Sequence, residues 1–445
     1  CLAHMSGNEM RYIQEAFDTN WVVPLGPNVN GFEDDLKRFV TSSSSSNKDE
    51  ASHRNEKYPQ TILPHENNPE SLWRESIKGL EDKHVVALCS GTAAVHLALI
   101  ALGVEAGDEV ICQSFTFCAS SHPVTYQGAK PVFVDSEKET WNMDPVLLEE
   151  AIKDRIAKTG KKPKAIIVVY LYGMPAKIKE ILAVADRYGI PVVEDAAEGL
   201  GSRYDGQVCG TFGEYGVLSF NGNKMITTSG GGALICPNEA ARNDVMFYAT
   251  QAREGYPYYQ HEKIGYNYRM SNVCAGIGRG QMTVLDEHIA HHRHIAHLYE
   301  EAFKKIEGID FHANPSSEYD SNYWLNTITL APSIKVRGQE NAYKTTVKGA
   351  VGGAAGVIHA VDSAHTDCEP NTNVEAMRVF LDKANIESRP LWKPMHKQPC
   401  YKDCPAYLNG VSESLFSTGM CLPSGPLVTD DDVRYIVETI QAAIE

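Results

Sequence analysis

What this 445-residue chain lacks narrows its chemistry first. Basic residues are in deficit: 41 Lys and Arg stand against 57 Asp and Glu, a formal charge of -16, and no Lys/Arg-rich block offsets that locally. Such a field repels nucleic-acid phosphates and anionic lipid, which argues against nucleic-acid partners. An anionic ligand must then be held by a local device, such as a helix N-terminus or a few placed cations. Paired cysteine spacing is missing too. The 11 cysteines are odd in number and scattered, so no disulfide framework is expected and a reducing cytoplasm fits best. Cys400 and Cys404 have no second Cys/His pair near them in sequence, so no metal is expected there. Cys1 to Arg11 shows no basic region followed by an apolar stretch, and no signal peptide is expected. The longest apolar stretch, Val85 to Val104, is interrupted by Ser90-Gly91-Thr92 and His96, which read as a turn and a helix start; no membrane association is expected.

Between Val85 and Ile235 short β-rich runs alternate with helical stretches. Candidate strands are 85–88, 109–112, 131–134, 166–170 and 191–194, and helix formers at helical spacing fill 93–102, 145–153 and 176–188. Repeated strand–helix–strand units predict an α/β fold with a mostly parallel sheet covered on both faces. In such sheets ligands collect at the carboxyl ends of the strands. From Tyr268 the pattern changes to one long helical stretch, Val273 to Ile306, then to strand-like and helical pieces. A chain of this length exceeds one core. We therefore expect a large domain over 1–255 and an interlobe helix with a small C-terminal α+β domain over 256–445. Thr41 to Glu70, with its serine run, and the Gly/Ala-rich Val336 to Val374 lack apolar periodicity and read as inserted surface excursions.

Glu194-Asp195-Ala196-Ala197-Glu198 falls at a strand end and is followed by Ser219-Phe220-Asn221-Gly222-Asn223-Lys224. Pyridoxal phosphate (PLP) chemistry needs an amine to bond the cofactor and a carboxylate facing the pyridine nitrogen; Lys224 and Asp195 supply both types. The cofactor's phosphate needs backbone N–H groups and hydroxyls. Gly91 and Thr92 sit between a strand and a helix, where glycine allows close approach and the helix start favours an anion. Ser219 is a further donor, and Gly230-Gly231-Gly232 lets the backbone pass close by. Phe117, just after the strand 109–112, is a candidate to cover one face of the ring, against the commoner fate of Phe as core.

With these residues in view, the chain resembles the DegT/DnrJ/EryC1/StrS sugar aminotransferases, of PLP fold type I (aspartate aminotransferase-like). The resemblance runs through His4-Met5-Ser6-Gly7-Asn8-Glu9, Pro24-Leu25-Gly26, Ser90 to Leu97, Glu194 to Glu198, Ser219 to Gly232 and Gly265-Tyr266-Asn267-Tyr268-Arg269. It implies Lys224 as the Schiff-base lysine, Asp195 at the pyridine nitrogen, Glu198 near the ring's 3-hydroxyl and Phe117 stacked on the ring. It further implies phosphate contacts from Thr92, Ser219 and, reaching in from the other subunit of a homodimer, Asn267. Arg389 to His396 and Tyr407 to Gly410 look most like the branch that aminates C4 of UDP-4-keto-6-deoxy-N-acetylglucosamine, with L-glutamate as donor. Arg389 and His396 match the charge of a nucleotide diphosphate, while an ion-pair role within the fold is the alternative for each.

Three other readings are open. A GDP-linked 4-keto-sugar is the neighbouring substrate; a sugar dehydratase is opposed by a lysine rather than a histidine at 224; and a silent regulator would keep the fold alone. The run His288, His291, His292, His294 and His297 reads as a solvated or interface helix, since it has no acidic or Cys partner at ligand spacing.

Overall fold

The computed structural model describes residues 2–42, 80–343 and 368–445. Short apolar runs buried on both faces build the main sheet, as Ala165–Val169 shows with every residue buried. In chain order the strands are β1 (His84–Leu88), β2 (Glu109–Gln113), β3 (Lys130–Val134), β4 (Ala165–Val169), β5 (Val192–Asp195), β6 (Arg203–Tyr204), β7 (Gln207–Val208), β8 (Tyr215–Ser219) and β9 (Gly232–Cys236). Beyond them come β10 (Ile309–Phe311), β11 (Tyr319–Asp320), β12 (Asn326–Leu330), β13 (Arg389–Pro390), β14 (Ala406–Tyr407) and β15 (Gly419–Leu422).

Eight strands form one sheet in the order β1-β9-β8-β5-β4-β2-β3-β14. From β8 to β14 every neighbouring pair is parallel. Only β9 runs against its neighbours β1 and β8. The crossovers are helices whose ends are written in the sequence. Asp144 caps Pro145–Thr159 by accepting the Val146 N–H, and Gly160 ends that helix in the left-handed region at φ 71. Helix Ile178–Tyr188 stops the same way at Gly189, φ 58. The expected α/β fold is therefore the observed one.

A second sheet, β10-β12-β15-β13, is antiparallel throughout. It packs with helices Leu285–Phe303, Thr372–Lys383 and Asp430–Ala443 around Ile328, Met377, Met420 and Ile440. Residues beyond 256 are not confined to this lobe, because β14 adds to the edge of the large sheet beside β3. Asp135, just past β3, holds the join: its carboxylate accepts the N–H groups of Asn409 (3.1 Å), Gly410 (2.9 Å) and Ser412 (3.1 Å) at the start of helix Val411–Thr418. No helix among the described residues is long and apolar enough to cross a membrane.

Several expectations need correction. The stretch from Val273 to Ile306 is two helices, Asn272–Met282 and Leu285–Phe303. Thr283 breaks it: its hydroxyl donates to the Gly280 carbonyl (2.6 Å) and accepts from Asn8 (3.0 Å), competing with the helical ladder. His288 and His292 are not solvated, being 2% and 1% exposed, and they hydrogen-bond the carbonyls of Met225 and Tyr323. Burial pushes their pKa values down to about 4 and about 3. The ends of the stretch read as an excursion from Val336 to Val374 are core, since both valines are buried and helix Thr372–Lys383 starts inside it. Of Thr41 to Glu70, only Thr41 and Ser42 lie within the described residues, and both are buried.

Candidate active site

Parallel strands bring their carboxyl ends to one edge, and there β2, β4, β5 and β8 deliver residues into a cavity of about 1470 Å³. Side chains alternate along β5, so Glu194 and Asp195 leave on opposite faces. Glu194 turns into the protein, where Gly210 N–H (2.8 Å), Gly213 N–H and the Tyr170 hydroxyl satisfy it. Asp195 lines the cavity, its Oδ2 accepting from the Ser120 hydroxyl at 2.6 Å and its Oδ1 from Ala197 N–H at 3.2 Å. Burial raises its pKa and the Ser120 bond opposes the rise.

Lys224 sits in the connection from β8 to β9, whose two ends are tied by Phe220 N–H to Gly231 O (2.9 Å) and Thr228 N–H to Phe220 O (3.0 Å). Its Nζ lies 3.4 Å from Glu198 Oε1 and 4.0 Å from the ring centre of Trp324. That indole is itself fixed, its Nε1 donating to Asn223 O at 2.7 Å. Glu198 also accepts the Tyr172 N–H at 2.7 Å. Burial pushes the Glu198 carboxyl up to about 7, against the pull of Lys224.

Opposite these groups the chain forms a close-set cradle. Ser90 caps helix Gly91–Ala101, its hydroxyl accepting the Ala93 N–H at 3.0 Å, so Gly91 and Thr92 open the helix at the cavity wall. A Cβ on Gly91 would lie 3.0 Å from Ser219 Cβ, and one on Gly232 would lie 2.4 Å from Gly91 N. Glycine at both places lets the helix start, Ser219 and β9 converge. Phe117, 54% exposed, lines the cavity and has its ring 5.5 Å from that of Trp392. Arg389, paired with Glu387, stands on the same wall as Trp392.

Gly91, Thr92, Phe117, Asp195, Glu198, Ser219, Lys224 and Arg389 thus meet at one cavity. Two sequence candidates are elsewhere. Asn267 is exposed and bridges Thr250 outside the cavity lining of its own chain. His396 is buried between Ser114 Oγ (2.7 Å) and Glu413 (3.1 Å), and does not line the cavity. The alternative ion-pair role describes its placement. Ser120, Tyr172 and Trp324 went unread from the sequence, where nothing in their spacing links them to Lys224; Trp392 entered only as part of the segment Arg389 to His396.

These residues fit PLP. The cradle from which Cβ atoms are excluded suits a phosphate at a helix start, and the buried Asp195 carboxylate calls for a cationic partner such as a protonated pyridine nitrogen.

Fold and cavity together define a PLP-dependent aminotransferase of the fold-type-I class. The chain belongs to the DegT/DnrJ/EryC1/StrS aminotransferase family, whose profile matches residues 66–348 and 357–441. Its cofactor is PLP, and its reaction is transamination of a ketone on a nucleotide-linked sugar. It is 40% identical over 441 residues to a putative pyridoxal phosphate-dependent aminotransferase, EpsN, of Bacillus subtilis, covering 98% of this chain and 93% of that protein. A GDP-perosamine synthase of Escherichia coli O157:H7 is 30% identical, with 98% and 95% covered. Among solved structures, a DegT DnrJ EryC1 StrS aminotransferase from Brucella abortus shares the fold at a TM-score of 0.75 and 24% identity, covering 98% of this chain and 95% of that one.

Proposed function

We propose that the chain aminates C4 of UDP-4-keto-6-deoxy-N-acetylglucosamine with L-glutamate as donor, giving the UDP-4-amino sugar and 2-oxoglutarate. One observation carries this reading: Arg389, Pro390 and Trp392 line the same cavity as Lys224 and belong to the segment whose sequence resembles the UDP-sugar branch. PLP, when bound, supplies an electron sink for the bond broken at the donor's Cα. Everything else falls to the protein. Asp195 would keep the ring nitrogen protonated, and Glu198 would stand beside the ring's 3-hydroxyl. Gly91, Thr92 and Ser219 would hold the phosphate, and Phe117 would cover one ring face. Lys224 would hold the cofactor through its amine and, with that amine free, would accept the proton released at the donor's Cα and return it on the cofactor side. Arg389 faces the nucleotide diphosphate.

A homodimer with shared sites belongs to the same proposal. Asn267, exposed and outside its own cavity, is free to serve the partner's phosphate site. A second substrate reading rests on the GDP-perosamine synthase relative, which spans nearly the whole chain. The test is to load the enzyme with amine from L-glutamate and titrate it with UDP-, GDP- and dTDP-linked keto-sugars, following the return of the visible absorption of the lysine-bound cofactor. Fastest return with the UDP sugar is expected; faster return with the GDP sugar overturns the UDP reading.

A further inference from the structure

Tyr172 is 2% exposed and sits in the turn Leu171–Gly173 that follows β4. Its backbone is left-handed, φ 56 and ψ 14, a conformation that bulky residues rarely adopt and that persists only where the surroundings over-determine it. Here they do. The next carbonyl, Gly173 O, accepts from the hydroxyls of Ser202 (2.6 Å) and Ser321 (3.0 Å). A Cβ on Gly173 would lie 2.0 Å from Asn322 Oδ1, and the amide of Asn322 donates to Glu198 O at 2.8 Å. The turn is thus clamped by the segment that leads to Trp324.

What the strained turn achieves is visible in the two polar ends of Tyr172. Its N–H donates to Glu198 Oε2 at 2.7 Å, on the side of the cavity that holds Lys224. Its phenol oxygen accepts the N–H of Trp392, which lines the same cavity, at 2.9 Å, and the two rings stand 5.0 Å apart. A right-handed or extended backbone at 172 would redirect the side chain relative to the N–H and forfeit one of the two bonds.

We propose that Tyr172 is a positioning residue that fixes the substrate-side segment Arg389 to Trp392 relative to Glu198 and Lys224. The proposal rests on reading that segment as the wall against which the keto-sugar binds. It does not depend on which nucleotide the sugar carries.

Tyr172→Phe tests it, because the variant keeps the backbone N–H to Glu198 and the ring but loses the oxygen that accepts from Trp392. The substrate is whichever nucleotide keto-sugar the wild type turns over in the panel above, so a GDP preference would sink the UDP reading and leave this test intact. We expect KM for that sugar to rise about fivefold, the equivalent of one neutral hydrogen bond of about 1 kcal/mol. The kcat and the affinity of the cofactor-free protein for PLP should each stay within about twofold. Hydrogen exchange at the Trp392 amide should quicken in the variant, a readout independent of any sugar. An unchanged KM, a fall in kcat with KM held, unchanged exchange at Trp392, or a parallel loss of PLP affinity each overturns the role. General destabilisation shows itself as the last of these.

Discussion

Gly232→Ala is the sharpest single probe of the cradle. Gly232 begins β9 and pairs with both Leu88 and Ser219, so its backbone is held from two sides. A methyl there would sit 2.4 Å from Gly91 N and from Ser90 C, and 2.6 Å from Ser90 O, all backbone atoms. Reaching ordinary contact at 3.4 Å needs a retreat of roughly 1 Å by the start of helix Gly91–Ala101. Overpacking of that kind costs about 1–3 kcal/mol of stability. On the proposed assignment it would also move the helix-start N–H groups out of hydrogen-bond range of the phosphate. Losing one such charge-assisted bond, worth about 1.5–3 kcal/mol, weakens PLP binding roughly 10- to 150-fold. The assay is a titration of cofactor-free protein with PLP, followed by visible absorbance, with Gly255→Ala as control because nothing lies within 4 Å of its added Cβ and it does not line the cavity. Binding by Gly232→Ala within about twofold of wild type, or an equal loss in the control, would refute the phosphate assignment.

Glu198→Gln should change how the stability of the cofactor-free protein depends on pH. The folded carboxyl keeps its proton up to about 7 while the unfolded one releases it near 4.5, so the folded state becomes less favoured as pH rises through that window. Relative to Glu198→Gln, the wild type is expected to lose up to about 3 kcal/mol between pH 5 and 7, read as thermal midpoints, and to run parallel above it; a constant difference across the range counts against the raised carboxyl. For the shared site, mixing inactive Lys224→Ala with inactive Asn267→Ala should restore about a quarter of the sites, because each mixed dimer keeps one intact site. Mixed dimers confirmed by mass spectrometry but no more active than their parents would place both residues in one subunit.

The buried parallel strands were legible because each is a short apolar run bounded by turn signals, and the meeting of Asp195 and Lys224 at one cavity because their residue types suit one cofactor. Other features depend on partners distant in sequence. Ala406–Tyr407 is too short to show a period, and its pairing with β3 sits beside long-range bonds from Asp135 to the N–H groups of Asn409, Gly410 and Ser412 that no local pattern announces. The five histidines look polar by composition, yet three find carbonyl partners, two of them in the interior. Tyr172 and Trp324 are unmarked aromatics until the fold sets them against Glu198 and Lys224. His396 was a candidate for the diphosphate, but Ser114 and Glu413 occupy both its ring nitrogens.

The place of β14 at the margin of the large sheet bears on how the chain is made. On the ribosome β3 emerges long before Ala406 and Tyr407, and for that interval its outer row of N–H and C=O groups has no strand beside it. An open edge of this kind, carrying Phe133 and Val134, is a template for another chain. Closing it requires the segment that also contributes β13 and β15 to the second sheet, so neither lobe is finished without the other. Cutting the chain at 255 therefore yields an adhesive sheet and not a smaller enzyme.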